Sequence, residues 1–301
     1  MKTKVLIVDD DTAIRESIQE YLTLIKFNAI AVASAEDAID YLEKNTVDIV
    51  ITDILMTGMD GFELTDFIKK NYNTEVIVIT GYSAEYSYEE AISKGANDFI
   101  FKPVRFEELN LRIKRVLRES NLAKDRIEML EELKTLAITD GLTKLYNSRH
   151  FYNQLELEIE RLKRYKHPLS LLLLDIDDFK AYNDKYGHIE GDKVLMIIGK
   201  IIQSCLRTMD SGYRYGGEEF TVLLPETNSK QAKLVATRIK NELSNNVIKA
   251  NGDENIITVS IGLTEYNYDE DIKNFIKRAD MAMYKSKEKG KNTISCIGPE
   301  K

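Results

Sequence analysis

The chain is poor in the residues that build soft metal sites and disulfide frameworks. Its two cysteines, Cys205 and Cys296, stand far apart among 301 residues, and it has three scattered histidines. That excludes a zinc site of ordinary spacing and fits a reducing cytosol better than a stapled secreted fold. Long apolar runs are missing too. The first, "VLIV", is too short for a signal peptide and stops at three aspartates. The longest, "LSLLLLDI", falls far below the ~20 residues a spanning helix needs. Positive charge is not in excess: 42 Lys and Arg against 50 Asp and Glu leave a net −8. A nucleic-acid polymer is therefore not an expected partner. These absences predict a cytoplasmic protein with no membrane contact.

What remains is 43% hydrophobic and 31% charged, an ordinary globular composition, and the chain is long enough for two domains of ~100–200 residues. Residues 1 to about 105 alternate apolar runs ("KVLIVD", "NAIAVA", "VDIVITD", "EVIVIT", "DFIFKP") with segments of helical period such as "AEDAIDYLEK". Strands apolar on both faces and separated by helices predict an α/β fold, a doubly wound five-stranded parallel sheet. Chemistry in such sheets collects at the carboxyl ends of the strands. Those ends carry Asp9, Asp10, Asp53, Thr80 and Lys102. One of Asp10 and Asp11 is expected to cap the next helix, but capping does not account for three acids and a lysine. Two carboxylates ~4 Å apart repel by about 4 kcal/mol at an effective dielectric of 20, so the cluster calls for a cation such as Mg²⁺.

"VDDD", "TD" at Asp53, "VIT" and "FIFKP" resemble the receiver domain of bacterial two-component response regulators (flavodoxin-like). The resemblance implies that Asp53 accepts a phosphoryl group from a cognate histidine kinase. Asp9, Asp10 and Asp53 would hold one Mg²⁺, with Thr80, Phe99 and Lys102 as switch residues. Lys102-Pro103 is a candidate cis peptide. Thr57 stands where the family usually has proline.

From Phe106 to Ala137 there is neither proline nor glycine, and Leu109, Ile113, Val116, Ala123, Ile127 and Leu130 follow a heptad seam. A parallel coiled coil joining two copies is expected, with its first third packed on its own domain. The expected domains are a receiver over residues 1–118, a helical linker over 119–138 and a third segment over 139–301.

That third segment orders its elements β-α-β-β-α-β, the pattern of a ferredoxin-like α+β sheet. "RYGGEEF" reads as a tight hairpin whose glycines take positive φ, with Glu218 and Glu219 opening the second strand. The topology sets Asp175, ending the first strand, across from Glu218. A glycine tip without side chains lets a bulky anion reach the backbone, and the carboxylates beside it hold the Mg²⁺ such an anion brings.

"DGLTKLYN", "DIDDFKAYNDKYGHIEGD", "RYGGEEF" and "RADMAMYKSKEKGKN" together resemble the GGDEF family of diguanylate cyclases. The resemblance implies condensation of two GTP into cyclic di-GMP and pyrophosphate, with Asp175, Glu218 and Glu219 as catalytic acids. Asp175, Glu218 and the Ile176 carbonyl would hold two Mg²⁺. Asn183 and Asp192 would read the guanine edge. Gly217, Lys180, Lys287 and Lys291 would meet the phosphates, Lys291 replacing the usual arginine. "RTMD" places Arg207 and Asp210 in the family's RxxD inhibitory arrangement for the product, with Arg238 as its secondary arginine. Each domain handles one GTP, so a homodimer through receiver and linker is implied. The rival is a receptor that binds cyclic di-GMP without catalysis.

Overall fold

In the computed structural model, residues 2–81, 93–250, 252–268 and 270–298 are described. Five N-terminal strands, β1 (Lys4–Val8), β2 (Asn28–Val32), β3 (Ile49–Asp53), β4 (Glu75–Thr80) and β5 (Asp98–Phe101), pair in parallel in the order β2-β1-β3-β4-β5. Alternation along each strand feeds two apolar layers. Leu6, Val8, Val50, Val76 and Val78 pack with residues of α2 (Ala35–Leu42) and α3 (Gly61–Asn71). Val5, Ile7, Ile49, Ile51, Ile77 and Ile79 pack with α1 (Thr12–Leu24) and the start of α4 (Phe106–Ile138). Asp11 is the residue that caps α1, accepting from the N–H groups of Ala13 and Ile14. That leaves Asp9 and Asp10 free of capping duty.

Helix α4 runs unbroken for 33 residues, and the chain divides into two units within it, between Leu130 and Glu131. Leu109, Ile113 and Val116 are buried, whereas Leu122, Ile127, Leu130, Leu133 and Leu136 are each more than half exposed. The seam is covered by its own unit over its first third and is wet thereafter.

The second unit holds a mixed sheet in the order β13-β12-β7-β9-β8-β6. Its inner strands, β7 (Leu169–Ile176), β8 (Ser211–Arg214), β9 (Glu219–Pro225) and β12 (Val259–Glu265), are antiparallel throughout, the ferredoxin-like core. Two short strands, β6 (Tyr146–Asn147) and β13 (Ile294–Cys296), add in parallel at the edges. Leu172, Leu174 and Ile176 of β7 pack with α7 (His188–Ser204) and α8 (Ser229–Asn245). Leu171 and Leu173 pack with α5 (Ser148–Tyr165) and α9 (Ile272–Glu288). Asp175 continues that second face to the strand's end.

One expected strand is broken. "NIITVSIGLTEY" divides into β11 (Asp253–Ile256), which pairs only with β10 (Val247–Ala250), and β12. The chain leaves the first ladder at Ile257 and Thr258, where the Thr258 carbonyl and hydroxyl both turn to Asp177.

Candidate active site

The register at the end of β7 corrects the expected pairing. Asp175 lies opposite Glu219, not Glu218, and the Ile176 N–H reaches the Glu218 carbonyl at 3.4 Å. The cause is a wider turn. Tyr215 and Gly216 both donate backbone N–H groups to the Glu219 carbonyl, at 2.8 and 3.2 Å, so β9 opens at Glu219 and Glu218 stays in the loop. Neither Gly216 nor Gly217 adopts positive φ, contrary to the tight-turn expectation. Their glycine character serves space instead. A Cβ on Gly216 would stand 2.8 Å from Glu219 Oε2, while one on Gly217 would meet nothing within 4 Å. The tip is bare backbone open to solvent.

Three carboxylates gather at this tip. Asp175 is 6% exposed, and its Oδ1 lies 2.8 Å from Lys287 Nζ as an ion pair without an aligned hydrogen bond. Burial pushes the Asp175 carboxyl up, more than Lys287 pulls it down. Burial also raises Glu218, with the Asp175 charge second. Glu219 is raised by burial, then by Asp175 and Asp280. All three hold their protons more tightly than free carboxyls, so the site is short of positive charge and suits a divalent cation shared with an anion.

Next to the acids, α6 (Phe179–Tyr186) starts from Asp178 in the left-handed region, φ 57°, with Lys180 exposed on its first turn. Asn183 Oδ1 is buried without a hydrogen-bond partner, and a Cβ on Gly191 of α7 would fall 1.9 Å from it. Asn183 and the exposed Asp192 thus lie on adjoining helices in near contact. Lys291, φ 63°, places its ammonium 2.5 Å from Asp178 Oδ1.

In the first unit, Asp9, Asp10 and Asp53 bring three carboxylate oxygens within 4.8 Å of one another, the only such trio among the described residues. Their number and hardness suit one Mg²⁺. Lys102 Nζ lies 2.8 Å from Asp53 Oδ2 and 3.4 Å from Asp9 Oδ2. Burial alone would lower the Lys102 ammonium, but Asp53 and Asp9 outweigh it and raise it. Burial leads in raising Asp9. Thr80 closes β4, its hydroxyl on the Gly81 carbonyl, and the Lys102 N–H reaches the Thr80 carbonyl at 2.7 Å. Phe99 stacks edge-on with Phe101, under the Arg112 guanidinium. Lys102-Pro103 is cis. The Thr57 N–H donates to Asp10 Oδ2 at 3.3 Å, a bond that the usual proline could not make.

Residues 137–293, over half of the chain, match the family model described as diguanylate cyclase, GGDEF domain. The chain belongs to the GGDEF family. Residues 5–114 match the response regulator receiver domain. Diguanylate cyclase A of Treponema denticola is 35% identical over 244 residues, covering 76% of this chain and 64% of that protein. Response regulator PleD of Caulobacter vibrioides is 31% identical over 297 residues, 97% of this chain and 65% of its own length. The chain therefore spans just under two thirds of each of these relatives. The coiled coil and GGDEF domain of DgcB from Caulobacter crescentus, solved in complex with c-di-GMP, superposes with a TM-score of 0.57 at 30% identity, over 62% of this chain and 99% of that one. Among the described residues no helix is long and apolar enough to cross a membrane.

Within this GGDEF domain, "RTMD" forms a closed turn. Asp210 Oδ2 accepts from the Arg207 N–H at 3.1 Å and the Asp210 N–H returns to the Arg207 carbonyl. The exposed Arg207 guanidinium makes no ion pair among the described residues, so the motif is not a surface salt bridge. Arg238, expected to act from a second domain, donates within its own domain to the Cys205 carbonyl, two residues before Arg207.

Arg214 of "RYGGEEF" and Asp140 of "DGLTKLYN" form a contact that no local sequence pattern signals. Arg214 Nη2 donates to the Gly217 carbonyl at 2.8 Å, and its Nη1 lies 3.3 Å from both Asp140 oxygens. Asp140 also accepts from the Thr143 N–H and hydroxyl; burial opposes its charge, but Thr143 and Arg214 hold its carboxyl below the usual range. This clamp fixes the glycine tip to the turn that follows α4. Arg214→Ala is expected to accelerate amide hydrogen exchange at residues 216–219 by about tenfold, as loss of a charge-assisted bond implies. Unchanged exchange there would show the tip to be rigid without the clamp.

Proposed function

We propose that this chain condenses two GTP molecules into cyclic di-GMP with release of pyrophosphate, under control of phosphorylation at Asp53. One observation carries the reading: Asp175 and Glu219 face each other at the paired ends of β7 and β9, Glu218 stands in the adjoining open glycine loop, and Lys287 pairs with Asp175. Asp175, Glu218 and the Ile176 carbonyl would hold two Mg²⁺ there, and Asp9, Asp10 and Asp53 one in the receiver. When bound, the metal supplies charge neutralisation at the triphosphate.

The remaining chemistry belongs to the side chains. Lys180, Lys287 and Lys291 bind the phosphates, and the open Gly217 backbone lets them approach. Asp192 accepts from guanine N1–H and N2–H₂, a pair of donors adenine does not present, and Asn183, its oxygen buried against Gly191, offers its amide N–H₂ to the same base. Glu219, across from Asp175 and raised in pKa, takes the 3′-hydroxyl proton. One domain binds one GTP, so a second copy must face it. The wet apolar seam of α4 fits such a copy, since each buried leucine contributes about 1.5–3 kcal/mol. A histidine kinase is the partner that would supply the Asp53 phosphoryl group.

Incubation with GTP and Mg²⁺ followed by nucleotide analysis tests the reading. Cyclic di-GMP and pyrophosphate support it. Binding of cyclic di-GMP without turnover would favour the receptor alternative and overturn the catalytic one. Product feedback is part of the proposal: the unpaired Arg207 fork and Asp210 suit a guanine edge. Arg207→Ala is expected to keep turnover and lose non-competitive inhibition by cyclic di-GMP. Initial rates across GTP concentrations check this, and inhibition that persists in the variant removes "RTMD" from the scheme.

A further inference from the structure

Asp177 lies two residues beyond Asp175, yet it turns away from the hairpin and is 8% exposed. Its carboxylate accepts from the Thr258 hydroxyl at 2.6 Å, the Ser260 hydroxyl at 2.6 Å and the Asn292 N–H at 3.0 Å. A buried carboxylate with three donors is a fixed point. What it fixes on its far side is an unusual turn.

Gly290, Lys291 and Asn292 follow one another with φ of 101°, 63° and 46°. Two successive non-glycine residues in the left-handed region are strained, and such backbone persists only where its surroundings over-determine it. Here the determinants are few and traceable. The Lys291 N–H reaches the Ser286 carbonyl at 3.2 Å, the Ser244 hydroxyl contacts Asn292 Oδ1 at 3.3 Å, and Asp177 takes the Asn292 N–H. At the crest of the turn, Lys291 extends to Asp178, itself left-handed at the start of α6. Asp177 therefore joins the strand end bearing Asp175 and Ile176 to the loop bearing Lys291.

We propose that Asp177 is a positioning residue for nucleotide binding. It holds the Gly290–Asn292 turn in its left-handed form so that the Lys291 ammonium is presented to a triphosphate beside the acids of β7. The inference rests on the GTP reading above and names how that site is kept in shape. It also accounts for a lysine at this position. A lysine is a point charge on a flexible stem and lacks the fork by which an arginine orients itself on phosphate. Its aim must come from the backbone, and the backbone is set by Asp177.

A double-mutant cycle separates this role from plain fold stabilisation. Binding of a non-hydrolysable GTP analogue with Mg²⁺ is measured by calorimetry on the full chain, for wild type, Asp177→Asn, Lys291→Ala and the double variant. Binding of cyclic di-GMP is measured on each as a control. Asp177→Asn and Lys291→Ala are each expected to weaken the analogue about tenfold, and the double variant to be no more than about twofold weaker than Lys291→Ala alone. Cyclic di-GMP affinity is expected to stay unchanged. Full multiplication of the two effects, no effect of Asp177→Asn, or an equal loss of cyclic di-GMP binding would each overturn the proposal. Should Asp177→Asn fail to fold, the pair Thr258→Val and Ser260→Ala removes both hydroxyls that orient the Asp177 carboxylate and leaves the residues of the turn unchanged. The same loss of analogue affinity is then expected, and unchanged affinity overturns the proposal. Failure of the wild-type chain to bind the analogue would overturn the GTP reading itself, whereas binding that ignores Asp177 would overturn only the positioning role.

Discussion

Asp175→Asn is expected to lower GTP turnover by about three orders of magnitude while raising the melting temperature of the nucleotide-free chain. The first effect follows from removing one arm of a phosphoryl clamp, since each ~1.4 kcal/mol lost from transition-state stabilisation is a factor of ten. The second follows from linkage. The Asp175 carboxyl is raised above its ordinary value by burial, so the folded chain binds its proton more tightly than the unfolded chain does. For such an acid the stability is greatest below the unfolded pKa and falls as pH rises from 3.8 through the raised folded value. Above the raised folded value the wild type carries that penalty in full, and asparagine does not. Glu218→Gln is expected to share both signs, with the smaller stability gain because Glu218 is less buried. Circular dichroism melts beside a pyrophosphate-release assay check the pair of effects. Substantial residual turnover in purified Asp175→Asn would sink the metal assignment, and a lowered melting temperature would contradict the burial argument.

Phosphorylation of Asp53 is expected to raise turnover tenfold or more, with beryllofluoride reproducing the effect. A phosphoryl group adds up to about two negative charges. It would arrive where Lys102 already stands 2.8 Å from Asp53 Oδ2, with Thr80 ending the neighbouring strand. A tenfold rise needs only about 1.4 kcal/mol of preference for the productive dimer, well within what charge-assisted bonds to Lys102 and Thr80 provide. Asp53→Ala is expected to retain basal turnover and to ignore both phosphodonor and beryllofluoride. Sedimentation should show the dimer fraction rising with activity in the wild type. If Asp53→Ala responds as fully as the wild type, the receiver is not the switch.

Much of this was legible because burial and charge leave period-wide traces. Runs such as "VLIV" and "IVIT", apolar at every position, require both faces covered, and that alone predicts the parallel sheet and the acids at its carboxyl edge. The heptad seam of α4 was readable for the same reason, including its buried first third. What escaped was set by hydrogen bonds of single residues. The turn at "GGEE" is one residue wider than a tight hairpin because two N–H groups share the Glu219 carbonyl, and no periodic signal encodes that choice. It moved Glu219 opposite Asp175 and freed both glycines from positive φ. Arg214 and Asp140 meet across 74 residues of sequence, a distance no local pattern spans. Asp177 was hidden between two other aspartates of "DIDD", since only the fold shows which of them turns inward.

The packing of α6 on α7 has a genetic consequence. At Gly191 the two helices approach so closely that a single added carbon would sit 1.9 Å from the Asn183 oxygen. An alanine there would change none of the residues proposed to meet the nucleotide and would still displace the Asn183 side chain. A saturation screen for base choice would thus score position 191 as though it touched the nucleotide. On the proposed reading, base choice depends partly on a distance between backbones, which drift at position 191 can change without altering any residue proposed to meet the substrate.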